Sequence, residues 1–247
     1  MRLTVLGSNG TYPTAGRPAS GYLVAASGSN LVLDMGPGVY LSMLERVRRP
    51  DAVVLSHVHP DHCVDLFALL AAIRFGDPDG WGIPVFAPPG LSDRFAAFLA
   101  VDADHALHRV FDFDPVGPGD RRRLGPFELE FGEANHSVPA VVTSVEAEGR
   151  RLVYSGDTGP GGDLERLAAG CDLLLCEAAS QGDPPPDRYP YHLYAGEVGA
   201  LAAAAGARRL IVTHLVPTLD PAVSVHEAAV EYDGPIDHAV PGMEVDV

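Results

Sequence analysis

The run S-H-V-H-P-D-H, Ser56 to His62, places three histidines and an aspartate within six consecutive positions. It closes A-V-V-L-S (52–56), a continuous apolar run whose β-branched residues predict a strand. A loop leaving that strand can aim His57 and His59 at one point, and Asp61 and His62 at a second point beside it. Four donors this close crowd expensively unless a cation takes up their lone pairs. Neutral imidazoles and carboxylates suit zinc, and also manganese or iron. Two ligands saturate neither metal, so the rest of the chain has to supply more.

Three further donors lie downstream. His136 follows F-E-L-E-F (127–131), Asp157 follows R-L-V-Y-S (151–155), and His214 ends L-I-V-T-H (210–214). Sites built on sheets gather their side chains from such strand ends. Taken singly, each is as well read as a turn or core polar residue. Strand-like runs also occur at 3–7, 21–25, 30–34, 84–87, 141–146, 172–176 and 243–247. The spacing of Leu66, Leu69, Leu70 and Ile73 predicts a helix over 65–75, and 195–205 and 223–232 follow the same pattern. Gly149 in E-A-E-G-R-R supplies the permissive backbone of a hairpin turn. Turn-rich stretches punctuate the chain at 76–82 and 181–191, and no repeat or long linker interrupts it. One α+β domain over residues 1–247, with two sheets, is the simplest reading.

Composition narrows the function. The formal net charge is −16, and all 17 Lys and Arg residues are arginine. The absence of lysine excludes a P-loop lysine and any lysine Schiff base. An acidic chain is a poor general-purpose nucleic-acid binder, although a metal can supply local positive charge to a small phosphorylated ligand. The one basic run, Arg121-Arg122-Arg123, reads as the cap of a turn between strands rather than as a nucleic-acid patch. No apolar run reaches the roughly 18 residues of a transmembrane helix, and the N-terminus lacks the apolar stretch of a signal peptide. Cys63, Cys171 and Cys176 are too scattered for a disulfide framework, so a reducing cytoplasm and no membrane partner are expected.

H-V-H-P-D-H (57–62), followed in order by His136, G-D-T (156–158) and T-H-L (213–215), resembles the H-x-H-x-D-H pattern and later ligands of the metallo-β-lactamase superfamily. The resemblance runs from Leu3 to the C-terminus. It implies a four-layer αββα sandwich with a dinuclear metal site at one edge of the two sheets. It also implies that His57, His59 and His136 hold one metal, that Asp61, His62 and His214 hold the other, and that Asp157 bridges them. L-L-L-C-E-A-A-S (173–180) and Y-H-L-Y-A-G-E-V-G-A-L-A (191–202) are similar to segments of the ribonuclease Z and phosphodiesterase branch. That similarity makes His192 the proton donor to the leaving oxygen and Glu177 the residue that orients it. By itself, His192 reads equally as a loop or helix-capping histidine. Cys63 is expected to be a small buried residue opening a helix at 64–75, not a ligand. Asp34, in L-V-L-D-M-G-P-G, fits a turn aspartate and a carboxylate bonded to a metal-bound histidine equally well.

The activity so implied is hydrolysis of a phosphodiester with two divalent ions, zinc before manganese or iron. A hydroxide bridging the ions attacks phosphorus, Asp61 and Asp157 partly neutralise the pair, and His192 protonates the departing ribose oxygen. Ribonuclease Z enzymes commonly carry a tRNA-gripping arm, inserted in bacterial forms between the third histidine and the bridging aspartate. Here a single hairpin separates His136 from Asp157. A compact enzyme for a small phosphodiester is therefore expected, with cyclic nucleotides such as cAMP leading. Processing of tRNA 3′ ends is the alternative, as is hydrolysis of a carbon ester or lactone, against which Glu177 and His192 speak. A metal-binding scaffold without catalysis fits the full set of donors poorly. A di-iron oxygen-reducing relative would want a glutamate at His59 or Asp61. In P-P-P-D-R-Y-P-Y (184–191), a lid could stack Tyr189 or Tyr191 on a base and bring Arg188 to phosphate, and a plain surface loop fits as well. Relatives are often dimers, a fold-level analogy that leaves a homodimer open.

Overall fold

The computed structural model describes residues 1–77, 80–100 and 107–247, so part of the turn-rich stretch at 76–82 lies outside the described residues. Two seven-stranded sheets carry the chain. In the first, β1 (Arg2–Gly7), β2 (Gly21–Ala26) and β3 (Ser29–Leu33) pair antiparallel. β4 (Ala52–Val54), β5 (Ile83–Ala87) and β6 (Phe111–Pro115) continue from β3 in parallel. The second repeats the scheme. β7 (Arg121–Leu124), β8 (Phe127–Glu133), β9 (Val141–Ala147) and β10 (Arg150–Tyr154) form an antiparallel meander. β11 (Leu173–Glu177), β12 (Leu210–Thr213) and β13 (Ile236–His238) then add in parallel. β14 (Glu244–Asp246) returns to the first sheet beside β1.

Parallel neighbours need crossovers, and here helices supply them. α1 (Val39–Leu44), α2 (Pro60–Cys63), α3 (Leu66–Gly76), α4 (Leu91–Leu99) and α5 (Leu107–Val110) serve the first sheet. α6 (Leu164–Ala168), α7 (Ala195–Ala205) and α8 (Pro221–Glu231) serve the second. Strand periodicity sorts the side chains into three cores. Leu3, Val5, Tyr22 and Leu33 from one sheet meet Phe127, Phe131, Leu152 and Ile211 from the other. Leu6, Val32 and Val53 point the opposite way, onto Met43, Leu69 and Phe95. Val153, Leu174 and Val212 likewise point onto Leu167, Val198 and Ala228. The layers therefore run helix, sheet, sheet, helix, as the resemblance implied. Strands covered on both faces explain why so many of the runs are apolar without alternation.

One local expectation needs correcting, and several elements were not foreseen. Arg121–Leu124 is a strand, not a turn cap: β7 is the edge of its sheet, where charged side chains block further pairing. Arg121 pairs with Glu130 across the ladder (2.8 Å), and Arg122 grips Asp114 with two nitrogens (2.7 and 2.9 Å). The helix expected from 64 or 65 to 75 forms as the single helix α3, starting at Leu66, and Pro60 opens a separate short α2, not foreseen, inside the histidine motif. Strands β6 and β13 and helices α1, α4, α5 and α6 were not foreseen; most are too short to show a period. The hairpin between β9 and β10 turns on Glu148 and Gly149, both at positive φ (55° and 68°), as expected for a tight turn that follows strand twist. Among the described residues no helix is long and apolar enough to cross a membrane.

Candidate metal centre

β8 and β10 both pair antiparallel with β9, and β11 and β12 run parallel to β10, so all four end at the same edge of their sheet. Glu177 ends β11 itself, the loops leaving the other three deliver His136, Asp157 and His214, and the loop leaving β4 brings the histidine motif to the same place. Crevices at the carboxyl ends of strands are where α/β folds bind ligands. The motif is locked by backbone contacts. His62 O accepts from Met35 N (2.7 Å), and a Cβ at Gly36 would come within 2.0 Å of Asp61 O, so only glycine lets the two segments meet.

Two sets of donors share Asp157. In one, His59 Nδ1 lies 3.0 Å from His57 Nε2 and 3.1 Å from His136 Nε2, with Asp157 Oδ2 3.7 Å from His57 Nε2. In the other, His62 Nε2 and His214 Nε2 are 3.2 Å apart. Asp61 Oδ2 is 3.5 and 3.3 Å from them, and Asp157 Oδ1 is 3.2 and 3.3 Å from them. Within each set one donor atom per residue lies within 4.8 Å of all the others, and Asp157 belongs to both. His57, His62, His214 and Asp157 are buried.

The hydrogen bonds around the rings decide which nitrogen is free. His136 Nδ1 faces the Tyr191 carbonyl oxygen (3.2 Å) and His62 Nδ1 faces Asp34 Oδ2 (2.7 Å); both partners only accept. Ser56 donates its hydroxyl to Asp34 (2.8 Å), so its oxygen is left to accept from His57 Nδ1 (3.0 Å). In all three rings the Nε2 lone pair therefore points inward. One proton on His59 Nδ1 can bridge only one of its two short contacts, whereas a cation between them answers all three nitrogens. Asp157 Oδ1 is buried without a well-aligned hydrogen-bond donor, although two histidine nitrogens face it. These donors fit divalent metal ions.

Protonation behaviour agrees. Burial pulls His57 well below its ordinary pKa, pulls His59 down, and pulls His136 down to about 4, so their lone pairs are available at neutral pH. Burial opposes ionisation of Asp157, but the charges of His214 and His62 outweigh it and hold the carboxyl well below its usual range. Asp61 is held low in the same way, by its bonds to His214 and His62. His62 moves the other way. Burial disfavours its charge, yet Asp157 and Asp34 on either side raise it well above the ordinary value. A proton on that ring cancels the same negative charge that a metal ion would.

Asp34, left open between two readings, belongs to the site. It is fully buried and accepts four hydrogen bonds: from Ser56 N (2.7 Å), Ser56 Oγ (2.8 Å), His62 Nδ1 (2.7 Å) and Tyr154 Oη (2.6 Å). Its φ of 59° is in the left-handed region, as is that of His214 (54°), a conformation that costs an L-residue about 1–2 kcal/mol. Replacing Asp34 with alanine frees the His62 ring and is expected to weaken metal binding by about 10–100-fold, read by titration with a competing chelator. Unchanged affinity would reduce Asp34 to a turn residue. Tyr154 was missed, and its only signal was an aromatic residue at the strand end two places before G-D-T.

Beside the cluster, His192 Nδ1 lies 2.9 Å from Glu177 Oε1. Glu177 is fully buried, and the backbone N–H groups of Thr158 (2.7 Å) and Ala179 (3.2 Å) also donate to it. Burial lowers the His192 pKa, but the hydrogen bond and charge of Glu177 prevail and lift it to about 9. Its ring stacks over His214 at 5.9 Å, with 24 % of the side chain exposed. A ring that keeps its proton at neutral pH is thus held beside the donor cluster.

A family described as a beta-lactamase superfamily domain matches residues 29–215, a span that contains every clustered residue. The chain belongs to the metallo-β-lactamase superfamily. Across 97 % of its length it is 35 % identical to the uncharacterized protein Rv1339 of Mycobacterium tuberculosis, covering 89 % of that protein. Along its whole length it is 29 % identical to the ribonuclease Z of Myxococcus xanthus, 98 % of which is covered. The crystal structure of the metallo-beta-lactamase fold protein YhfI from Bacillus subtilis superposes with a TM-score of 0.87 at 25 % identity, over 99 % of this chain and 98 % of that one. Human tRNase Z, short form, shares the fold at a TM-score of 0.78 and 21 % identity, over 100 % and 99 % of the two chains. A diphosphatase of the PhnP family shares it at 0.75 and 18 %, over 100 % and 97 %.

Within this superfamily site the remaining residues find other roles. Cys63 closes α2, and its thiol faces the Val58 carbonyl (3.5 Å) while burial pushes its pKa up to about 12; it stays a buried thiol, as expected. Arg188 does not reach out toward a phosphate. Its guanidinium turns inward to Glu197, to the His192 carbonyl (2.6 Å) and over the Tyr194 ring. Tyr189 stays 62 % exposed with its ring 6.0 Å from that of His192, and Tyr191 lies between Tyr189 and His136.

Proposed function

We propose that this protein is a metal-dependent phosphodiesterase acting on a small phosphodiester, with a cyclic nucleotide such as cAMP as the leading substrate. The observation that carries the proposal is the His192–Glu177 pair beside two donor sets that share Asp157. In this reading His57, His59 and His136 hold one divalent ion, Asp61, His62 and His214 the other, and Asp157 lies between them. Zinc suits such donors, with manganese or iron compatible. Ions bound there would polarise phosphoryl oxygens and lower the pKa of water to about 7.

The chain's own residues do the rest. Asp61, whose Oδ2 also accepts from Thr11 N (2.9 Å), brings a negative charge that partly offsets the ions. Glu177 keeps the Nδ1 side of His192 occupied, so the opposite ring nitrogen carries its proton toward the leaving oxygen. Departure of an alkoxide needs that proton, and a positioned general acid contributes about 10²–10⁴-fold. The residues work as a single metallo-hydrolase domain over 1–247.

The β9–β10 hairpin, which spans the interval where ribonuclease Z carries its arm, and the net charge of −16 support a small substrate over tRNA. The exposed Tyr189 ring beside His192 offers a stacking face for a base. The 29 % identity with ribonuclease Z favours tRNA 3′ processing as the second reading. Zinc-loaded protein should hydrolyse bis(p-nitrophenyl) phosphate and a cyclic mononucleotide, and leave precursor tRNA and a lactone nearly untouched. Faster cleavage of precursor tRNA would install the second reading, and faster opening of the lactone would move the protein to carbon esters. Replacing Tyr189 and Tyr191 should raise KM for a nucleotide, and an unchanged KM would remove the stacking face.

A further inference from the structure

The peptide joining His192 to Leu193 is gripped at both ends. Its N–H, on Leu193, points to Glu177 Oε2 (3.4 Å), and its carbonyl, on His192, accepts from Arg188 Nη2 (2.6 Å). Glu177 also takes the ring through Nδ1 (2.9 Å), so one carboxylate fixes the ring and one side of the peptide while Arg188 fixes the other. Arg188 is itself tied to the fold. Its Nη1 pairs with Glu197, whose second oxygen accepts Tyr194 N (3.0 Å) at the start of α7, and its guanidinium lies 4.9 Å from the Tyr194 ring centre. Helix α7 is a firm anchor, because Gly199 lets it approach α8 so closely that a Cβ would meet Ala228 O at 2.2 Å. A connected path therefore runs from a packed helix to the backbone of His192, at the end of an otherwise exposed, proline-rich stretch.

We infer that Arg188 is a positioning residue: it holds the His192 backbone so that the ring nitrogen opposite Glu177 stays aimed at the leaving oxygen. This rests on His192 being the proton donor. The role is geometric, since Glu197 already balances the guanidinium charge. It also needs arginine, whose planar fork meets a carboxylate and a carbonyl together while lying flat on a ring; a lysine ammonium does not.

The test compares Arg188→Gln and Arg188→Lys with the native zinc-loaded enzyme on two substrates. The phenolate of bis(p-nitrophenyl) phosphate departs without a proton, and the ribose oxygen of 3′,5′-cyclic AMP does not. Misplacing a catalytic group by about 1 Å costs about 10²-fold, so kcat on the cyclic nucleotide should fall about 10- to 100-fold in Arg188→Gln. Turnover of the p-nitrophenyl ester, metal content and melting temperature should hold. Added to His192→Ala, Arg188→Gln should cost nothing more, and the Leu193 amide should exchange its hydrogen faster in the Arg188 variant. An equal fall on both substrates, no fall on either, an additive loss in the His192→Ala background, or unchanged Leu193 exchange each overturns the inference. If His192→Ala slows both substrates alike, the proton-donor reading fails and takes the inference with it. If His192→Ala is selective for the cyclic nucleotide and Arg188→Gln is not, the inference fails alone.

Discussion

Exchanging Asp157 for asparagine is expected to strip most of the bound metal and to lower kcat/KM by at least about 10³-fold, the upper range for deleting one group that stabilises transition-state charge. Its two oxygens serve different donor sets, Oδ2 toward His57 (3.7 Å) and Oδ1 toward His62 and His214 (3.2 and 3.3 Å). Asparagine keeps the shape but loses the charge, and its amide turns N–H groups toward imidazole lone pairs or leaves one set without its oxygen. No neighbouring carboxylate can step in for both sets, because Asp61 reaches only His62 and His214 and Asp34 is occupied by four donors. Elemental analysis and steady-state rates on the purified variant check the prediction together. Two equivalents of metal with near-native turnover would sink the shared-carboxylate reading, and metal content at or below one equivalent in the native protein would sink the proposal of a paired site.

Replacing His192 with alanine should cost about 10²–10⁴-fold on a substrate with an alkoxide leaving group, with metal content unchanged, because the residue stands beside the donor sets and is not needed to hold them. The pH profile carries the second half of this prediction. The ring holds its proton below a pKa of about 9 and loses it above, so a proton donor loses activity on the alkaline side. Bound cations work against the imidazolium, which places that limb at or below about 9. Burial already opposes the charge, and the hydrogen bond and carboxylate of Glu177 are what raise it. Glu177→Gln should therefore move the limb to lower pH, by about one to three pH units, the range for removing one close opposite charge. A limb that stays in place in this variant would show that Glu177 does not tune the ring. A shift to higher pH would contradict the sign of the interaction.

Much of this site is written in single residues, and the exceptions are instructive. His57, His59, Asp61 and His62 declare themselves because they are neighbours in the chain, and no folding is required to bring them near one another. His136, Asp157 and His214 carry a weaker signal, a polar residue just past an apolar run. Asp34 stayed ambiguous because a buried carboxylate and a turn aspartate have the same local sequence. Only the approach of Tyr154, 120 positions away, and of His62, 28 positions away, separates them. Arg188 shows the opposite failure. Beside two tyrosines it looks like a hand for phosphate, and the packing of α7 turns it into a clamp on the backbone of His192. The run Arg121-Arg122-Arg123 looks like a turn cap for a related reason: a strand at a sheet edge needs no apolar face, so its periodicity is silent.

The sequence by itself determined the chemistry of the donors, the periods of the longer strands and helices, and the absence of any lysine-based mechanism, because these depend on side-chain identity and near-neighbour spacing. Tertiary structure alone decided which donors meet, which oxygen of Asp157 faces which set, and which nitrogen of each ring is free. Strand order brings His62 and His214, 152 positions apart, to 3.2 Å, and the hydrogen-bond partners that choose each tautomer come from other strands and loops. A contact of that kind is a property of the packed sheets, and no local stretch of chain contains it.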